Sequence, residues 1–228
     1  MFSKRYLLFI VFLLLHCAEI SAQYTPFFII PEGEKNRTFY GGVAIGANFS
    51  QVDGDTYSGY HKVGINLGPL VYIRLNQMIS LSTELLYTRK GSKARSFQSN
   101  AYGIPYQDQY DLKLNYVEIP VIAHLFVHGR IHYGIGVSYA RLINYKEEAY
   151  TIAPVNIYPD VNYFKKDDLG GIGEIDYELF KQFFVNLRFN YSLRTIRDPY
   201  RIPQGYGNGK SSAQLNNVWS IRFMYLIK

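Results

Sequence analysis

Between Lys62 and Lys90, apolar residues recur at every second position on both sides of a short interruption. Val63, Ile65, Leu67, Val71, Ile73 and Leu75 form one series, interleaved with Lys62, Gly64, Asn66, Gly68 and Arg74. Ile79, Leu81, Leu85 and Tyr87 form the second, against Ser80, Ser82, Glu84, Thr88 and Lys90. A period of two gives a strand one apolar and one polar face. Each arm runs for about ten residues or more, against ~5–6 in an ordinary strand and ~9–11 in a tilted strand that crosses a bilayer. Only Asn76, Gln77 and Met78 separate the arms. The pattern predicts a tight hairpin whose apolar face meets lipid.

The same alternation extends along the chain. Tyr40 to Phe49 reads as a first strand, with Val43, Ile45, Ala47 and Phe49 outward and Gly42, Gly46 and Asn48 inward. Gln51 to Tyr60 reads as a loop. Beyond the hairpin, a fourth strand covers Leu112 to Val127. Its phase slips between Leu112/Leu114 and the series Val117 to Leu125, which places a bulge near Asn115 or Tyr116. Pro120 cannot donate to a ladder and marks a second irregular point. After a turn at His128-Gly129-Arg130, a fifth strand sets Ile131, Tyr133, Ile135, Val137 and Tyr139 outward, with His132, Gly134, Gly136, Ser138 and Ala140 inward. The sixth, Leu169 to Leu179, points Glu174, Asp176 and Glu178 inward. The chain turns at Lys181-Gln182. The seventh strand carries Phe183, Val185, Leu187, Phe189 and Tyr191 outward, with Asn186, Arg188 and Asn190 inward. The last sets Trp219, Ile221, Phe223, Tyr225 and Ile227 outward, against Ser220, Arg222 and Lys228. Short turns near Gln77, Gly129 and Lys181 alternate with long polar segments at Gly91–Tyr110, Asn144–Asp168 and Leu193–Asn216. Long loops at one end and short turns at the other are the pattern of barrels in the bacterial outer membrane. The expected fold is all-β: an eight-stranded antiparallel up-and-down transmembrane β-barrel over residues 40–228.

The amino terminus has a different character. Lys4 and Arg5 precede an apolar run from Tyr6 to Leu15, and Ser21-Ala22-Gln23 offers a cleavage site, so residues 1–22 read as a signal peptide. That run is too short for a spanning helix, which needs ~20 residues. Residues 23–39, with Pro26, Pro31 and mixed charge, read as a periplasmic lead-in. The only cysteine, Cys17, lies within the signal, where Leu14-Leu15-His16-Cys17 faintly resembles a lipobox. Among 228 residues there are 22 tyrosines and 15 phenylalanines, as suits aromatic girdles. The net charge of +6 is scattered among acids, which argues against nucleic acid as a partner and suits lipid head groups.

Four segments carry a resemblance to a known family: GGVAIGANFS at Gly41–Ser50, GINLGP at Gly64–Pro69, ELLYTRKGS at Glu84–Ser92 and NYVEIPV at Asn115–Val121. With them the chain resembles the PorT-like outer-membrane β-barrel family of Gram-negative bacteria over nearly its whole mature length. The resemblance implies an integral outer-membrane barrel of a family mostly without an assigned activity, and it supplies no catalytic residues to transfer. It also brings an association with protein secretion through the founding member.

Candidate chemistry is sparse. Lys62, Arg74, Glu84, Glu118, Glu174, Asp176, Glu178, Arg188 and Arg222 face inward. An eight-stranded barrel is only wide enough for side chains to fill, so these charges are expected to pair as a polar core rather than line a path. The alternative function, a lipid-modifying enzyme, would use Ser138 and His132, with Glu118 orienting a histidine. Those two lie about 20 Å apart along one strand at ~3.3 Å per residue, and His124 reaches neither without a specific register. Asp53-Gly54-Asp55 reads as a turn rather than a calcium loop. Five scattered histidines give no zinc signal. No catalytic, cofactor-binding or metal residue is therefore expected. The expected role is structural or interactive, in contact with outer-membrane lipid. A protein partner is expected at the extracellular loops or the periplasmic face. The loop tyrosines Tyr102, Tyr106, Tyr110, Tyr150, Tyr158, Tyr163, Tyr200 and Tyr206 are the candidate contact residues.

Overall fold

The computed structural model describes residues 38–55, 59–76, 78–99, 105–128, 130–150, 163–201 and 213–227. The expected signal peptide and nearly all of the lead-in lie outside them. The described residues form nine strands: β1 (Phe39–Asp53), β2 (Lys62–Arg74), β3 (Ile79–Glu84), β4 (Leu86–Ser99), β5 (Pro105–His128), β6 (Ile131–Tyr150), β7 (Asp167–Phe180), β8 (Phe183–Ser192) and β9 (Leu215–Ile227). Every pairing is antiparallel, and β1 pairs with both β2 and β9, which closes the ring. β3 and β4 both lie between β2 and β5 and form one interrupted stave. The ring is the expected eight-stave barrel.

The interruption has a cause in two prolines. The Leu85 N–H donates to the Pro69 carbonyl at 3.0 Å, but Pro69 has no N–H to return. On the other side the register runs from Thr83↔Val121 to Leu86↔Glu118, which sets Pro120 opposite Glu84. Each proline removes one ladder bond, so the sheet opens at Glu84–Leu85. The irregularity expected at Pro120 thus falls on the neighbouring strand, while β5 itself runs on in register with β6, Pro120 opposite Ser138. The register shift expected near Asn115/Tyr116 is present, but the extra residue is Ile143 of β6. Leu112 and Leu114 do not mark a change of phase. They point inward and are fully buried.

Side chains alternate as the pattern predicts. Val43, Ile65, Val121, Ile135, Leu187 and Ile221 are exposed on the outer face. Aromatic residues bound this belt. Phe49, Trp219 and Phe189 adjoin one another across three strands toward the long connections, and Tyr225 and Phe183 pair toward the short turns. At the turn ends, the Asn76 side chain accepts the N–H groups of Met78 and Ile79 at 2.8 Å, and Gln182 takes a positive φ of 72°. The Asp53-Gly54-Asp55 segment turns as expected, with Gly54 at φ 90°.

Two corrections concern the long connections. Much of Gly91–Tyr110 and the start of Asn144–Asp168 are strand, because β4, β5 and β6 run on to Ser99, from Pro105 and to Tyr150. Likewise β1 continues to Asp53, into the segment read as a loop. Outward side chains change character along this extension. Arg89 donates to Asn115, and Asn115 donates to Asn144. Polar outward groups on the projecting wall mark where lipid gives way to water.

Ile135 and Tyr200 are each 74% exposed, one in the belt and one in a loop. Ile135→Arg should destabilise the barrel by ~2–4 kcal/mol, the usual effect of a charge at the bilayer midplane. Tyr200→Arg should leave it nearly unchanged. Urea titration scored by heat-modifiable migration measures both, and equal midpoints would contradict the assignment of the lipid face.

Candidate functional site

The barrel interior is layered. Near the short turns, Tyr40, Ala44, Leu70, Tyr72, Phe184, Met224 and Leu226 form an apolar cluster. Toward the long connections, Val52, Tyr110, Leu112, Leu114, Tyr116, Ala140, Phe164 and Ile196 form another. Charged and amide side chains fill the space between. Burial of charge demands pairing, and the sequence order of each inward series sets which charges share a level.

The centre is Glu84, at the end of β3 beside the ladder break. Its Oε1 accepts from Arg188 Nη2 and its Oε2 from Arg222 Nη1, each at 2.7 Å. Arg188 Nε donates to Glu174 Oε2 at 2.7 Å, and Arg222 Nη2 lies 3.4 Å from the same oxygen. Arg222 Nε donates to Asn186 Oδ1 at 2.7 Å, and Asn186 Nδ2 donates to Asp176 Oδ1 at 2.6 Å. Gly134 makes room for this arrangement. A Cβ there would lie 2.7 Å from Glu174 Cγ and 2.9 Å from Ile122 Cγ2.

A second network lies closer to the loops. Lys90 Nζ is 2.9 Å from Glu118 Oε2 and 3.6 Å from Asp168 Oδ2. Asn190 Nδ2 donates to Glu118 Oε1, and Asn216 Nδ2 and Ser192 Oγ donate to Asp168. Near the mouth, Arg197 pairs with Glu147 at 2.5 Å and covers the Phe164 ring at 3.6 Å, and Lys62 pairs with Asp111. Outside the membrane, the Lys165 ammonium 2.6 Å from Asp198 holds that carboxyl below its ordinary range.

The candidate catalytic residues do not assemble. Ser138 lies beside Asn190 in the Lys90–Glu118 network. His132 Nε2 stands 3.5 Å from Asp176 Oδ2 in the other network. Glu118 pairs with Lys90, and among the described residues no histidine is paired with it. What the sequence spacing did not reveal is the approach of His124 to His132, with ring centroids 6.2 Å apart. The β5–β6 register brings them together on facing strands. Among the described residues, His124, Glu174 and Asp176 form a group able to hold a metal ion.

The candidate tyrosines separate. Tyr110 is buried and donates its hydroxyl to Glu147 at 2.7 Å, so it belongs to the core. Tyr163 and Tyr200 are exposed, and the Arg201 guanidinium lies 3.6 Å from the Tyr163 ring centroid and 5.1 Å from that of Tyr200. The side chains of Tyr102, Tyr106, Tyr150, Tyr158 and Tyr206 lie outside the described residues.

A closed antiparallel ring, apolar outside and filled by paired charges within, defines a small β-barrel membrane protein. Residues 22–198 match the outer membrane protein beta-barrel domain family, and the chain belongs to that family. Its place is the outer membrane. Among solved structures it is similar to Ail, the attachment invasion locus protein of Yersinia pestis, at 11% identity and a TM-score of 0.43, over 84% of this chain and 100% of that one. It is also similar to neisserial surface protein A, at 10% identity and a TM-score of 0.43, over 82% and 96% of the two chains. No curated protein matches the sequence.

Glu84→Gln should be the most damaging conservative change in the interior. It leaves two buried guanidinium groups sharing Glu174 and should destabilise the barrel by ~3–5 kcal/mol. Glu148→Gln, which disturbs an exposed pair with Lys146, should have little effect. Urea midpoints of the two variants in the same lipid provide the comparison, and similar midpoints would contradict a central role for Glu84.

Proposed function

We propose that this protein is a non-enzymatic outer-membrane scaffold that docks a protein partner at its long-connection end. The observation that carries this reading is the Tyr163–Arg201–Tyr200 cluster beside the mouth, in which exposed tyrosines flank a partly covered arginine. Tyrosine and arginine dominate the energetics of protein interfaces because they offer large contact area with polar handles. The filled interior supports the same reading. Arg188, Arg197, Arg222, Tyr116, Lys90 and Phe184 are all fully buried within it, so the surface is where a binding partner finds accessible groups. The separation of Ser138, His132 and Glu118 into two networks weighs against a lipid-modifying enzyme built on them. The GGVAIGANFS, GINLGP, ELLYTRKGS and NYVEIPV segments support a PorT-like place within the family, and with it a link to protein secretion.

A photoreactive residue at position 200 should capture a discrete protein in intact cells, and Tyr163→Ala with Arg201→Ala should abolish that capture without reducing insertion. The same label at Ile135 should capture lipid. Capture that survives both substitutions, or the absence of any protein adduct at position 200, would remove the docking reading. The barrel should also show no long-lived conductance in planar bilayers. Stable porin-like openings would contradict a filled interior.

A further inference from the structure

We propose that the barrel interior holds one structural divalent cation of the zinc class between His124, Glu174 and Asp176. The geometry comes first. His124 Nδ1 lies 3.5 Å from Asp176 Oδ2 and 3.7 Å from Glu174 Oε1, and His132 Nε2 lies 3.5 Å from Asp176 Oδ2. These separations are too long for hydrogen bonds. They are close to the edge of a tetrahedron, about 3.3–3.5 Å, when four N and O ligands sit at roughly 2.0–2.1 Å from a metal. The ligand atoms of His124, Glu174 and Asp176 all lie within 4.8 Å of one another.

The partners of these atoms point the same way. Among the described residues, His124 Nδ1, Glu174 Oε1 and Asp176 Oδ2 are buried without a hydrogen-bond partner. Such orphan atoms are costly unless something satisfies them. The opposite atom of each ligand is already held. Ser82 Oγ is hydrogen bonded to His124 Nε2 at 2.7 Å, Asn186 donates to Asp176 Oδ1 at 2.6 Å, and Arg188 donates to Glu174 Oε2 at 2.7 Å. Outer partners of this kind fix the orientation of metal ligands. A bond between Ser82 and Nε2–H turns the Nδ1 lone pair toward two carboxylates, an arrangement that a cation between them relieves.

Charge supplies a third argument. At this level three described carboxylates, Glu84, Glu174 and Asp176, share two guanidinium groups: Arg188 and Arg222 pair with Glu84 and Glu174, while Asp176 meets the Asn186 amide and the two histidines. The surplus is negative, in a place where unbalanced charge is strongly disfavoured. Mixed imidazole and carboxylate ligands suit zinc and its neighbours rather than calcium or magnesium, which prefer oxygen alone. The Tyr72 ring lies tilted against His124 at 4.7 Å and Phe184 meets His132 edge-on at 5.6 Å, closing the site from the turn side. The cation is therefore structural, tying β5 to β7 across the intervening β6.

The test uses the full chain without a histidine tag, folded into lipid from urea with Zn²⁺ present, then desalted through chelator. Wild type should retain about one zinc per chain, as one tetrahedral site requires. His124→Gln and Asp176→Asn should retain less than about a tenth of that, and Ser82→Ala should weaken retention by roughly 10-fold or more. Folding with Co²⁺ in place of Zn²⁺ gives a readout on wild type alone: visible d–d absorption of tetrahedral N/O ligation. Zinc retention equal in wild type and His124→Gln would overturn the proposal. So would a folded wild type that retains no zinc and shows no cobalt band, which would assign the balancing charge to a proton on a histidine.

Discussion

A single carboxylate crosses the lumen and holds two arginines. Glu84 meets Arg188 of β8 and Arg222 of β9, both at 2.7 Å. In the ring order β8 lies diametrically opposite the β3–β4 stave, so the bridge spans the barrel rather than joining neighbours. It is possible only because an eight-stave barrel is narrow, and it is necessary for the same reason. Charges in a space without bulk water must find partners, and among the described residues Glu84 finds its guanidinium partners on β8 and β9 across the lumen. The ladder break between Pro69 and Pro120 falls at this residue, so local backbone irregularity and the central charge coincide.

The two apolar clusters set the environment of that bridge. Tyr72, Phe184 and Leu226 close it from the turn side, and Leu112, Leu114, Tyr116 and Phe164 close it from the mouth. Screening by water falls within such a compartment, which strengthens each ion pair and raises the penalty for an unpaired group. This is why both oxygens of Glu84 are bonded to guanidinium groups. The atoms that stay unbonded at His124, Glu174 and Asp176 stand out against them.

Much of this was legible in the alternation of side chains. Period two read the lipid face correctly at Ile65, Ile135, Leu187 and Trp219, and placed Glu84, Glu174, Arg188 and Arg222 inside. It could not show that Leu70, Tyr72, Leu112 and Phe184 also face inward, because two-sided apolar runs carry no phase. That ambiguity misdirected the reading of Leu112 and Leu114 as a slip in phase. Loop composition was a poor guide where strands leave the membrane. Once both faces meet water, polar residues no longer distinguish strand from loop, and β4 and β5 continue through Ser-rich and Gln-rich sequence. Contacts that depend on register were hidden altogether. His124 and His132 meet only because β5 and β6 pair as they do, and Tyr110 finds Glu147 by the same register.

The most direct measurement is the distance from the Glu84 carboxyl carbon to the arginine guanidinium nitrogens, by carbon–nitrogen solid-state magnetic resonance in lipid bilayers. N···O contacts of 2.7 Å predict carbon–nitrogen separations of roughly 3.5 Å to both Arg188 and Arg222. Their guanidinium protons should also be protected from exchange with water. Contact with neither arginine, together with rapid exchange of those protons, would mean a hydrated lumen and would contradict the account of a barrel held by a charge bridge across its own interior.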